Sequence, residues 1–124
     1  MKLNEIAAKR QTIFVPVPGF GEELAAAIKA KPDIVEKFKT FKEFKKNFPP
    51  KRFPGEHKLS RKLSEFSECH LASNVLLYFI HKDDTVYLLS VDTHNPFRTG
   101  KTEKVFQQKL RNRKISIKSE NPNA

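Results

Sequence analysis

The sequence has a single cysteine, Cys69, so no intramolecular disulfide can form and no cysteine cluster exists to hold zinc. That usage suits a reducing compartment. No apolar run approaches the roughly 20 residues a membrane-spanning helix needs. The start, MKLNEIAAKRQ, lacks the apolar block of a secretory signal, so a cytoplasmic protein is expected. Acids are also in short supply: 14 Asp and Glu stand against 24 Lys and Arg, for a formal charge of +10 and a pI near 9.8. A balance of that kind points to a polyanionic partner, nucleic acid before membrane. The 124 residues suffice for one domain with a core that stands without staples.

The excess charge is unevenly placed. Residues 1–56 carry 12 Lys/Arg against 7 Asp/Glu, and residues 98–124 carry 8 against 2. Residues 57–97 carry 4 against 5 and hold all four histidines: His57, His70, His81 and His94. The middle of the chain is therefore nearly neutral, with a basic flank on each side.

Thr12–Val17 reads as a strand that Pro16 and Pro18 confine to a sheet edge or terminus. A helix is expected over Gly21–Lys31, with Glu22 and Glu23 in its first turn and lysines in its last, as the helix dipole favours. A second is expected over Asp33–Phe48, where Ile34, Phe38, Phe41, Phe44 and Phe48 form one stripe. Such a stripe could stack bases, but packing on a sheet is its ordinary use. The run Pro49–Gly55 can be neither helix nor inner strand. Glu56–Leu59 follows as a loop carrying His57, and then comes a strand around Phe66–Leu71.

Val75–His81 and Val86–Val91 are apolar, β-favouring runs around a turn at Asp83-Asp84, so they form a hairpin. An uninterrupted ladder pairs His81 with Val86, Ile80 with Tyr87, Phe79 with Leu88, Tyr78 with Leu89, Leu77 with Ser90 and Leu76 with Val91. Both faces are apolar near the turn, which predicts a central hairpin with at least one neighbouring strand. Farther on, a helix is expected over Thr102–Leu110, with Phe106 and Leu110 as an apolar pair, and Lys114–Lys118 alternates like an edge strand. The predicted class is α+β: two helices on one face of a small, mainly antiparallel twisted sheet, with the other face free. Residues 1–10 form an N-terminal extension, 11–97 the domain and 98–124 a basic C-terminal extension.

The histidines are too widely spaced for any short metal signature, and neither a metal nor a cofactor is implied. Their order is more informative. The run Glu56-His57-Lys58-Leu59, then Phe66-Ser67-Glu68-Cys69-His70, then the apolar hairpin, then Thr93-His94 and Phe97, resembles the RelE/ParE superfamily of bacterial toxins. The likeness is nearest to the YafQ-type branch and covers residues 11–97. It implies a compact, RelE-like α+β endoribonuclease that cuts messenger RNA at the ribosome and is silenced by a cognate acidic antitoxin protein.

Carried over position by position, His57, His70 and His94 match the family's catalytic histidines and Glu68 the acidic residue before the second. Phe97 matches the terminal aromatic. Asn74, expected to help position an imidazole, stands where that branch usually has Asp. Ser67 and Ser90 stand where relatives often carry Arg. Imidazoles titrate near neutrality and can serve as acid or base for metal-free RNA cleavage, and a neighbouring carboxylate can orient one. The expected roles are His94 as general acid, His57 or Glu68 as base and His70 as a donor to the phosphate. Lys51, Arg52, Arg61 and Lys62 would hold the RNA or ribosomal backbone, and Phe97 would stack a base. His81, beside the hairpin turn, matches no family position and is expected to be structural or exposed. The alternative is a non-catalytic RNA-, ribosome- or partner-binding protein on the same fold, motivated by Asn74 and the missing arginines.

Overall fold

The computed structural model describes residues 11–47, 49–59, 63–92 and 100–120, with side chains described over 107–117 in the last stretch. Five strands form one sheet: β1 (Ile13–Pro16), β2 (His57–Lys58), β3 (Ser67–Ala72), β4 (Val75–Lys82) and β5 (Thr85–Asp92), in the order β1-β5-β4-β3-β2. Only the β1–β5 pair is parallel. As the prolines require, β1 lies at the edge. The hairpin occupies the centre, which explains why both of its faces are apolar.

Helices α1 (Phe20–Ala30) and α2 (Ile34–Lys45) follow β1 and cover one face. The stripe on α2 is core: Ile34 and Phe41 are buried, with Phe38 and Phe44 packed against the same cluster. The Phe41 ring meets Phe79 of β4 at 5.0 Å and Phe53 of the proline loop at 5.6 Å, both edge-on, a favoured aromatic geometry. Phe48 lies outside the described residues.

Three expectations need correction. The ladder of β4 and β5 holds from Lys82↔Thr85 to Phe79↔Leu88, then slips at an irregularity, so that Tyr78 faces Ser90, Leu77 faces Val91 and Leu76 faces Asp92. A β-bulge adds one residue to a strand and moves every pairing beyond it. Second, Lys114–Lys118 is not a strand: α3 runs unbroken over Gly100–Glu120. Leu110 and Ile117, two turns apart, are respectively buried and packed on the core, and this spacing outweighs a five-residue alternation.

Third, the other face is not free. Phe79 points to α2, so its neighbours Tyr78 and Ile80 point to the opposite face. There Ile80 and Tyr87 line one cavity with Lys114 and Ile117 of α3. The tail expected to be an appendix therefore roofs β4 and β5.

Where β1 ends, α1 and α3 meet at the open edge of β5. Glu23 of α1 accepts from Ser90 Oγ at 2.9 Å and from the Val91 amide at 3.2 Å. Arg113 of α3 donates to both Glu23 oxygens, at 2.7 and 3.0 Å, and to the Leu89 carbonyl at 2.8 Å. Lys109 bonds Glu23 at 3.0 Å and Asp92 at 3.3 Å. Backbone groups that β1 would have paired are satisfied by side chains instead. Gly19 sits at φ 94°, a conformation that favours glycine, and a Cβ there would stand 2.7 Å from the Arg113 guanidinium, which would have to move aside.

Candidate functional site

The site is built on the face that α3 only partly covers. Strand β2 is two residues long, and its register sets His57 directly opposite Glu68 of β3. Directly opposed residues project to the same face. The result is an ion-pair contact of 2.7 Å between His57 Nε2 and Glu68 Oε1. The imidazole is half exposed, while the carboxylate is nearly buried, at 52% and 13%. On its other side, His57 Nδ1 lies 3.3 Å from the Gly55 carbonyl. Both neighbours are acceptors, so keeping both contacts as hydrogen bonds requires the protonated ring; a neutral ring keeps only one.

The proline loop is pinned by Glu56. Its carboxylate takes an ion pair from Lys45 of α2 and accepts from the Phe53 amide at 3.0 Å. Its carbonyl accepts from Arg52 Nε at 2.8 Å and Nη2 at 2.5 Å. Lys45 is buried, with its ammonium over the rings of Phe41 and Phe79. A buried cation is tolerable only when paired in this way. The acid before the first histidine thus acts as a clamp that fixes where His57 emerges. Sequence reading passed over Lys45 because it falls among solvent-facing lysines.

Beneath Glu68 lies Tyr78, which sequence reading treated as hairpin core. The two are register partners across β3 and β4, so the phenol and the carboxylate project to the same face. Burial first, then the charges of Glu68 and Asp92, push its pKa far up, so the hydroxyl stays protonated. Counting back from the Ser73-Asn74 turn would have set Glu68 opposite Phe79. The irregularity between His70 and Ala72 shifts the ladder and puts Tyr78 there instead.

His70 is exposed and shares the Glu68 face by two-residue spacing. Among the described residues no hydrogen bond joins it to the His57–Glu68 pair. It opens onto a groove lined also by Lys37, Thr40, Pro54 and Ser73. Asn74 sits exposed in the β3–β4 turn, with no described hydrogen bond to His57 or His70. Lys51 is exposed on the proline loop. His94, Phe97, Arg61 and Lys62 lie outside the described residues. His81 is exposed at the end of β4, and partial burial, then Lys45, lowers its pKa. Ser67 and Ser90 are buried, and Ser90 is spent on Glu23 and Asp92. Cys69 is buried on the helix side, its thiol pushed up to about 12 by burial, which makes it inert. Among the described residues, no group of three His, Cys, Asp or Glu could hold a metal ion.

No family model matches the chain, and no curated protein matches it. Solved structures do. A metal-bound toxin from Helicobacter pylori is 25% identical, with a TM-score of 0.53, over 68% of this chain and 96% of that one. An E. coli DinJ–YafQ toxin–antitoxin complex matches at 12% identity and a TM-score of 0.56, over 73% of this chain and 100% of the other. A YoeB/ParE toxin from Agrobacterium tumefaciens matches at 9% and 0.51, over 68% and 100%. The chain has the fold of the YafQ and YoeB/ParE toxins. The YafQ-like fold expected from the order of histidines is met. On it, the described parts of the expected site fall into one joined pair, His57 with Glu68, and one separate group, His70.

Proposed function

We propose that the chain is the endoribonuclease toxin of a type II toxin–antitoxin pair, acting on messenger RNA at the ribosome without a metal. The observation that carries this reading is the 2.7 Å His57–Glu68 pair, held on an open part of the sheet. The base removes the proton of a ribose 2′-hydroxyl, the 2′-oxygen attacks phosphorus, and the bond to the 5′-oxygen breaks. A 2′,3′-cyclic phosphate and a 5′-hydroxyl result once the leaving oxygen takes a proton.

A carboxylate fixed on Nε2 sets the tautomer, and Nδ1 serves as the base once a sugar hydroxyl takes the place of the Gly55 carbonyl beside it, so His57 oriented by Glu68 fits the first transfer. Glu68 itself is the other candidate base. His94 is the acid, and His70 donates to the phosphate. Lys51, Arg61 and Lys62 add positive charge along the RNA path, where a phosphorane needs it. Phe97 stacks a base. Arg52 has a smaller share, since two of its nitrogens are committed to the Glu56 carbonyl. A basic chain with this face would be silenced in the cytoplasm by an acidic antitoxin. Toxins of this fold include YafQ, which is found with DinJ.

A second reading, RNA or ribosome binding without cleavage, draws on the charges that are missing: Asn74 brings no carboxylate, and Ser67 and Ser90 bring no cation to stabilise a phosphorane. Induction in a bacterial host separates the two. The toxin should arrest growth and cleave messages, while His57→Ala and His94→Ala relieve both effects. Arrest and cleavage unchanged in both variants would overturn the proposal; RNA binding without cleavage by the wild type would establish the second reading.

A further inference from the structure

We propose that Tyr78 is a positioning residue of this site, its buried hydroxyl holding the Glu68 carboxylate in line with the His57 imidazole. The inference deepens the reading above and rests on His57 and Glu68 being the reacting pair.

The argument starts from the strand ladders. His57 pairs with Glu68, Glu68 with Tyr78 and Tyr78 with Ser90, so four side chains form one row across β2, β3, β4 and β5. The row is exposed at the His57 end and closed at the Ser90 end, where Ser90 Oγ lies within hydrogen-bond distance of both Glu23 and Asp92 and donates its one proton to either. Tyr78 is fully buried. A phenylalanine would fill nearly the same space, so packing alone gives no reason for an oxygen there. A buried hydroxyl is unfavourable unless it is hydrogen-bonded, and the polar group its strand register sets directly across from it is the Glu68 carboxylate.

Glu68 has the matching need. Oε1 faces the imidazole at 2.7 Å, while Oε2 is buried and out of reach of solvent. A carboxylate secured by a donor from below loses the freedom to turn about its terminal torsion. Its outer oxygen then stays on the imidazole nitrogen, which is the preorganisation that proton transfer from a sugar hydroxyl requires. Acids on either side, Glu68 and Asp92, keep the phenol in its donating form.

Tyr78→Phe in the full chain tests this, since it removes one oxygen and keeps the ring. Two readouts are needed. The first is NMR of the His57 ring: the wild type should show a slowly exchanging, downfield Nε2 proton that Tyr78→Phe broadens or loses. The second is RNA cleavage, where kcat should fall about tenfold with KM within about twofold. A ring that only filled the core would move neither. Loss of the proton signal with no cleavage by either protein supports the positioning role and removes the ribonuclease reading. A signal that persists in Tyr78→Phe overturns the positioning role, whatever the rates, and equal cleavage beside it leaves the ribonuclease reading intact. Should Tyr78→Phe not fold, the wild type decides: nuclear Overhauser contacts between the Tyr78 hydroxyl proton and the Glu68 side chain support the inference. Their absence, with the hydroxyl exchanging freely, overturns it.

Discussion

The two halves of the sheet's second face make an instructive contrast. Over β4 and β5, α3 closes the surface: Leu110 is fully buried, Ile117 packs on the core, and Glu23, Asp92, Lys109 and Arg113 form a network at the edge. Over β2 and β3 nothing described covers His57, which stays half exposed on its carboxylate. The roofed half spends its charges on holding an element down. The open half keeps one ionisable pair facing outward, where a substrate could reach it. Tyr78 is the joint between them, fully buried and set by strand register directly across from Glu68 of the open pair.

If this division is right, variants under the roof should lower stability, and variants of the open half should lower activity. The largest stability loss is expected for Leu110→Ala, about 3 kcal/mol by urea unfolding, because a fully buried leucine leaves a cavity. A loss under about 1 kcal/mol would mean that α3 is not packed as described.

Glu23→Gln should come next, at about 1–2 kcal/mol near neutral pH, since it weakens a partly buried pair to Arg113 and Lys109. Burial alone would raise the Glu23 carboxyl, but the hydrogen bonds from Arg113 and Lys109 prevail and hold it below its ordinary 4.5. The stabilisation is therefore present above the unfolded value and is lost as the pH falls through the lower folded one. Unfolding at about pH 7 and about pH 3 should show the wild-type advantage larger at the first than at the second. A constant gap would assign the effect to something other than ionisation.

The smallest effect is expected for Asn74→Asp. An acid placed on this exposed turn should change stability by less than about 0.5 kcal/mol. Cleavage rates should stay within about threefold, because no described hydrogen bond ties that turn to the histidines. A large gain in rate would move the weight of the site from Glu68 towards the β3–β4 turn.

Much of this was legible in the chain. The prolines fixed β1 at an edge, the phenylalanine spacing gave α2 its buried stripe, and the Asp83-Asp84 turn set the ladder correctly as far as Phe79↔Leu88. What failed did so at irregularities. A bulge is set by the twist and surroundings of two strands, so counting from a turn could not foresee Tyr78 across from Glu68. Nor could local periodicity show that the basic tail folds back: the ion pairs of Glu23 with Lys109 and Arg113 span more than 80 residues. Glu68 was singled out from the order of residues as the acid before His70; that it meets His57 follows from a two-residue strand that no pattern would have marked as a strand.

The central claim, that His57 and Glu68 are one catalytic unit on the open half, is tested most directly by cleavage of messenger RNA on purified ribosomes. Wild type is compared with Glu68→Gln and with Leu110→Ala, the latter kept well below its unfolding temperature. The account predicts cleavage by the wild type, a loss on the order of 10²-fold in Glu68→Gln, and a rate within a few-fold of wild type in Leu110→Ala. Glu68→Gln cleaving as fast as the wild type would contradict it.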